Sequence, residues 1–232
     1  MEDEGRRRAQ ARSLARAALA RGEPLAWFEE LYLQADGPGS IPWADLRPNP
    51  FLLGWLESGH RLGTRALVVG CGLGDDAAEL AARGQEVTAC DIAPAAIERC
   101  RRRFPESRAV FCVADILDPP HEWRASFDFV LSAYTLQVLP AELRPRAAAG
   151  IASTLAPGGC ALVISRGREE SEPAGEMPWP LSRAELLGIF APHLGLVELA
   201  DFYDDEQPPV RRLRLTLARA AAADAGCGAT AG

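Results

Sequence analysis

Ala66-Leu67-Val68-Val69-Gly70-Cys71-Gly72-Leu73-Gly74 is the stretch that decides the fold. Four apolar residues in a row read as a strand buried on both faces, as in a parallel sheet. Three glycines on alternate positions follow at once, and a helix-forming run begins at the third. Glycine there lets the backbone turn sharply and leaves no Cβ between the main chain and a ligand. A second strand, Gln85–Cys90, runs into Asp91, seventeen residues beyond Gly74. A carboxylate at that tip can accept from both hydroxyls of a ribose diol. Strand, bare turn and acid together predict an adenosine-type cofactor across the carboxyl ends of a parallel sheet.

The same alternation continues outward from this unit. Strands are predicted at 65–70, 86–91, 109–114, 127–132 and 160–165, with helices at 74–83, 94–103 and 142–155 and a short one near 119–124. Pro94 suits a first helical turn, and Pro157-Gly158-Gly159 is expected to break the chain before the fifth strand. Repeats of this length demand a doubly wound parallel sheet. The carboxyl end differs. After a helix at 182–191, residues 196–203 and 210–218 read as strands joined by the acidic loop Asp204–Pro209, a connection short enough to force antiparallel pairing. The expected fold is therefore a three-layer α/β/α Rossmann-like fold, its seven-stranded, mostly parallel sheet ending in an antiparallel hairpin. Residues 1–60 are expected to form a helical cover or lid, 61–219 the cofactor-binding core, and 220–232, rich in small residues, a disordered tail.

Composition narrows the partners. The chain of 232 residues is long enough for one large domain with a real core. A net charge of −7 gives no general attraction for a nucleic acid backbone or an anionic membrane, so neither is expected as a partner. No run approaches the roughly 20 apolar residues of a membrane span, and the amino end lacks the apolar core of a signal peptide. All 25 residues counted as Lys or Arg are arginine, which rules out Schiff-base lysine chemistry. The six cysteines show no CxxC spacing. Cys90, Cys112 and Cys160 fall in predicted strands as small hydrophobes, and reduced thiols fit a cytoplasmic protein. No carboxylate cluster suggests a metal.

With these motifs in this order, residues 25–219 resemble the class I S-adenosylmethionine-dependent methyltransferases, and most nearly small-molecule members akin to thiopurine and thiol methyltransferases. The closer kinship rests on Pro42-Trp43 before the first strand and on Met177-Pro178-Trp179-Pro180-Leu181 after the fifth. The resemblance implies S-adenosyl-L-methionine as cofactor, with Gly70, Gly72 and Gly74 beneath its methionine and ribose portions. It implies Asp91 on the ribose, Ile92 and Ile116 against the adenine, and Asp115 on the adenine amino group. Ser132 would border the sulfonium, and Trp43 would close over the cofactor. One position departs from the family pattern: Val68 stands where many members carry an acid, which leaves Asp75 or Asp76 to hold the cofactor's amino group. Plainer roles stand beside these. Asp91 can cap the helix at Pro94, Asp115 can form a turn ahead of Asp118-Pro119-Pro120, and Trp43 can plug the amino-terminal helices.

The expected reaction is in-line methyl transfer to a small-molecule thiol, amine or phenol, with proximity and orientation dominating. Tyr134 and Gln137 after the fourth strand, Arg166 after the fifth and Trp179 beyond it are the candidates for the acceptor pocket. His60 and His193 precede strands, which puts them at the edge away from the cofactor, and His121 belongs to the flank. The lack of a well-sited base favours an acceptor that is already nucleophilic. Two alternatives use the same turn. An NAD(P)-dependent oxidoreductase needs two residues between its second and third glycines, where this chain has one. A non-catalytic cofactor-binding protein would keep the pocket and lose turnover. The sequence leaves the oligomeric state open.

Overall fold

Strands buried on both faces require a helical layer on each side, and the chain supplies them alternately. The computed structural model describes residues 2–221; the tail expected at 220–232 lies, from 222 onward, outside the described residues. Strands β1 (Arg65–Val69), β2 (Glu86–Asp91), β3 (Val110–Val113), β4 (Phe127–Ala133) and β5 (Leu155–Arg166) run parallel. Strand β7 (Arg211–Ala218) inserts antiparallel between β5 and β6 (Gly195–Tyr203). The sheet order β3-β2-β1-β4-β5-β7-β6 reverses direction between β1 and β4. That switch opens a crevice at the carboxyl ends of the central strands.

Alternate residues of each strand enter different cores. Leu67 and Val69 face α6 (Arg144–Thr154) and α7 (Arg183–Phe190), packing with Ile151, Leu186 and Phe190. Ala66 and Val68 face α4 (Asp75–Ala82) and α5 (Pro94–Arg103), packing with Leu80 and Ile97. A fully buried leucine or isoleucine contributes roughly 1.5–3 kcal/mol, so the two faces together fix the strand register. Helix α6 approaches the turn after β3 so closely that a Cβ on Gly150 would stand 1.9 Å from the Ile116 carbonyl oxygen.

Two local expectations are corrected. Pro157-Gly158-Gly159 does not precede the fifth strand but lies within it. Register jumps from Phe127↔Leu155 to Phe129↔Cys160, so residues 156–159 bulge opposite Asp128. A bulge tolerates a proline without a ladder donor, and Gly158 takes the left-handed turn at φ 79°. Helix α3 (Pro50–Glu57), read with the amino-terminal cover, packs on the sheet. Its Trp55 is fully buried, stacks on Phe129 at 5.3 Å and donates to Thr216 Oγ1 at 2.9 Å.

The remaining cover is α1 (Glu2–Ala20) and α2 (Ala26–Gln34). Ala11, Ala15 and Ala18 let the two helices approach, with Trp27, Leu31 and Met177 filling the contact. Helix α2 is tied to the core where Glu29 accepts from the Ala95 N–H at 2.9 Å, and where Arg99 donates to the carbonyls of Tyr32 and Ala35.

Candidate active site

The crevice at the β1/β4 switch widens into a cavity of about 860 Å³, within the roughly 300–1,000 Å³ usual for ligand pockets. Its floor is the glycine turn after β1. Gly70 and Gly72 hold φ of 64° and 56°, the left-handed region. A Cβ on Gly70 would strike Thr135 Oγ1 at 2.6 Å, whereas one on Gly72 would meet only the Tyr32 hydroxyl at 3.4 Å and Trp43 Nε1 at 4.0 Å. Gly72 therefore presents bare backbone to the cavity beneath two side chains of the cover. Trp43 Nε1 donates to the Tyr32 hydroxyl at 3.3 Å, and Trp43 itself is 38% exposed. The indole forms a rim, with Tyr32 buried behind it.

Asp91 stands at the tip of β2 with both oxygens engaged. Oδ2 accepts from the Gly72 N–H and Oδ1 from the Ala93 N–H, each at 3.0 Å. The carboxylate thus braces the glycine turn against the start of α5, and each oxygen keeps a lone pair for a ligand. Burial outweighs these donors and pushes Asp91 up to about 6. Asp115 Oδ1 accepts from the Leu117 N–H at 2.8 Å, the turn-forming role, while the residue still lines the cavity. Asp75 is held bidentate by Arg103 at 2.7 and 2.8 Å. Asp76 accepts only from the Asn49 N–H, at 2.6 Å, and burial raises it to about 6. Of the two acids after the glycines, Asp76 has the free oxygen.

Sulfur lies under the turn as well. The Cys100 thiol donates to the Gly72 carbonyl at 3.1 Å, and Cys71 hydrogen-bonds Cys100. That bond, with burial, drives the Cys71 thiol well above its ordinary value.

A family model for a methyltransferase domain matches residues 66–159, the span from β1 into β5. A probable thiol methyltransferase from Arabidopsis thaliana is 26% identical over 156 residues, covering 66% of this chain and 68% of that protein. A thiocyanate methyltransferase from Brassica oleracea is 27% identical over 123 residues, or 52% of this chain and 54% of the relative. Together these matches support an S-adenosylmethionine-dependent methyltransferase. The fold of this methyltransferase is also that of the N-methyltransferase NodS from Bradyrhizobium japonicum, solved with S-adenosyl-L-homocysteine. The two agree with a TM-score of 0.64 at 23% identity, over 83% of this chain and 96% of the other. Neither the oxidoreductase nor the non-catalytic alternative is favoured by these matches.

In the methyltransferase, Trp43, Gly70, Gly72, Asp91, Ile92, Asp115 and Ile116 come together in the lining of one cavity, and Tyr134, Gln137 and Arg166 line it too. Three expected residues stand elsewhere. Gly74 makes way for packing: a Cβ there would meet the Phe111 ring at 3.0 Å and Cys100 Sγ at 3.1 Å. Ser132 shares the face of Val130, turned to the helical layer and 1% exposed, and Ala133, Tyr134 and Thr135 reach the cavity in its place. Trp179 packs with the α1–α2 cluster, its ring under the Arg144 guanidinium and its N–H bonded to the Gln137 carbonyl at 2.7 Å. His60, His121 and His193 lie outside the lining; His60 stacks on Trp55 at 4.2 Å.

Tyr32, Asn49, Thr135 and Arg212 also line the cavity, among residues the sequence did not mark. Tyr134 adopts φ 61°, and its phenol is pushed up to about 12 by burial, so it stays protonated at neutral pH. Among the described residues, no group of three or more His, Cys, Asp or Glu is arranged to hold a metal, and no helix is long and apolar enough to cross a membrane.

Proposed function

We propose that this methyltransferase transfers the methyl group of S-adenosylmethionine to a small-molecule thiol, amine or phenol. The observation that carries the reading is the pairing, in the lining of one cavity, of Gly72's uncovered backbone with the buried Asp91 carboxylate it hydrogen-bonds. The residues fit the cofactor: Asp91 would accept from the ribose hydroxyls, Ile92 and Ile116 would pack on the adenine, and the open oxygen of Asp115 would take its amino group. Asp76 would meet the ammonium of the methionine end, the role Val68 cannot fill. Trp43 and Tyr32 would close over the ribose. When bound, the sulfonium supplies an electrophilic methyl group.

The protein's own share is then positioning and exclusion of water. Tyr134, Gln137 and Arg166 border the space beyond the glycine turn, where an acceptor would lie. Holding a nucleophile in line there is worth up to roughly 7–11 kcal/mol of the barrier. A thiol of pKa about 8.5 is already a few per cent ionised at neutral pH, so an acceptor of this kind needs no base from the histidines. Residues 1–60 would act as cover and 61–219 as core, with α3 contributing to the core's helical layer. The acidic net charge argues against a nucleic acid substrate, and the free cysteines suit a cytoplasmic setting. Calorimetry should show binding of S-adenosylhomocysteine and none of reduced nicotinamide dinucleotide. A turnover screen over thiols, phenols and amines, reading demethylated cofactor, should then give product. Binding of the dinucleotide instead would refute the assignment.

A further inference from the structure

Strands β5 and β7 bring like charges face to face at the cavity wall. Arg166, the last residue of β5, is the register partner of Arg212 on antiparallel β7. Directly opposed residues leave the sheet on the same face, and both of these line the cavity. Like charges in that relation destabilise a sheet. Elsewhere the same hairpin places acid beside base, as where Asp201 binds Arg211 bidentately at 2.7 and 2.8 Å. The Arg166–Arg212 pair is also withdrawn from water: Arg212 is 5% exposed and the Arg166 side chain 24%.

The counter-charges are unequal. Asp204 is fixed on Arg212 Nε at 2.6 Å and is itself buried in its side chain. It offsets the charge of Arg212 and leaves that of Arg166 without a buried carboxylate of its own. Glu206 supplies the second carboxylate, touching Arg212 Nη2 and standing 3.6 Å from Arg166 Nη2. Unlike Asp204, Glu206 is half exposed, on the 204–209 loop at the cavity mouth. Gln137 is already engaged, its Oε1 accepting from the Arg166 N–H at 2.7 Å, and does not compete for the guanidinium. A half-solvated carboxylate thus bridges an arginine pair largely withdrawn from water.

On the reading that the cavity is a methyl-transfer site, we propose that the acceptor is an organic monoanion whose carboxylate docks between Arg166 and Arg212 and displaces Glu206. Two guanidiniums recognise a carboxylate through paired charge-assisted hydrogen bonds. The carboxylate is the handle, and a thiol, amine or hydroxyl elsewhere on the acceptor takes the methyl group. That group loses its proton to solvent, and S-adenosylhomocysteine leaves with the electron pair of the broken S–CH₃ bond.

The test uses the full chain loaded with S-adenosylhomocysteine and three matched pairs: 4-mercapto-, 4-hydroxy- and 4-aminobenzoate, each against its methyl ester. Calorimetric affinity is measured for all six, and kcat and KM with S-adenosylmethionine for those turned over. At least one acid should bind better than its ester by about tenfold or more. Arg166→Met should erase that preference through KM while keeping the affinity for S-adenosylhomocysteine. Glu206→Gln should do the opposite, lowering KM for the acid severalfold and leaving the ester unchanged. Esters that bind as well as acids, failure of every acid to bind, or a Glu206→Gln variant that weakens the acid would each overturn the proposal. Failure of the wild-type chain to bind S-adenosylhomocysteine would defeat the methyl-transfer reading beneath it, a separate result.

Discussion

Asp91→Asn should separate folding from cofactor binding, because the carboxylate carries a cost in one and a gain in the other. In the free protein, burial raises Asp91 from 3.8 to about 6, so its ionised form at neutral pH costs on the order of 3 kcal/mol of stability. Asparagine removes that cost. It keeps one acceptor oxygen, but its amide then faces the Gly72 or Ala93 N–H that the second oxygen had satisfied. One unsatisfied donor costs about 1–3 kcal/mol. The two changes nearly cancel, and the melting temperature should move little. Cofactor binding has no such compensation. Two ribose hydroxyls each lose a charge-assisted bond worth roughly 1.5–3 kcal/mol, part of which a neutral amide restores, so affinity should fall by about a hundredfold or more. Calorimetry with S-adenosylhomocysteine, run beside thermal melts, measures both. The wild-type affinity should also weaken as pH falls through about 6, where Asp91 must shed a proton to bind, and the variant should lose that dependence. A loss under about threefold with an unchanged melting temperature would mean the ribose is held by other groups.

Asp76→Asn should stabilise the fold at pH 7 by on the order of 2 kcal/mol and weaken cofactor binding. The folded pKa of Asp76 lies above its ordinary value, so folding retains a proton between about pH 4 and 6. Its contribution to stability therefore falls as pH rises through that window, and the variant should show a shallower decline in urea melts at pH 5 and 7. Asp128 and Asp201, held below the ordinary carboxylate range by backbone donors and by Arg211 respectively, act only at lower pH and should leave this window alone. Gly150→Ala drives a Cβ to 1.9 Å from the Ile116 carbonyl and should cost about 3 kcal/mol or more in denaturant unfolding, with reduced cofactor affinity in whatever still folds. His60→Gln and His193→Gln should keep turnover within a few-fold of wild type in the acceptor screen, and a thousandfold loss in either would place a histidine at the reaction.

The fold was legible where periodicity and chain connectivity leave little choice. All-apolar runs mark β1 and β4 as doubly buried, and the six-residue loop at 204–209 compels the antiparallel hairpin. The bulge in β5 was hidden because Pro157-Gly158-Gly159 carries the same local signal whether it ends a strand or interrupts one. That helix α3 packs on the sheet is not legible locally, because its partner Thr216 lies 161 residues away. At the site, spacing alone picks out Gly72 and Asp91, and both line the cavity. Gly74 could not be told from them, because a glycine that borders a cavity and one that faces a phenylalanine ring look alike in sequence. Ser132 was misplaced by one step of strand alternation. Tyr32 and Arg212 are far from the motifs along the chain, and only tertiary packing gathers them. The one available hint was Arg212-Leu213-Arg214-Leu215, whose alternation puts arginine on a strand face that the next buried strand must share.

The sulfur pair beneath the glycine turn bears on what this chamber can tolerate. Cysteines in catalytic clefts are commonly hazards, since an ionised thiolate captures electrophiles and forms mixed disulfides with incoming thiols. Here Cys71 borders the cavity but is held protonated by burial and by its bond with Cys100. A thiol kept in its protonated form is a weak nucleophile, so on the proposed reading Cys71 would compete little with an acceptor for the methyl group.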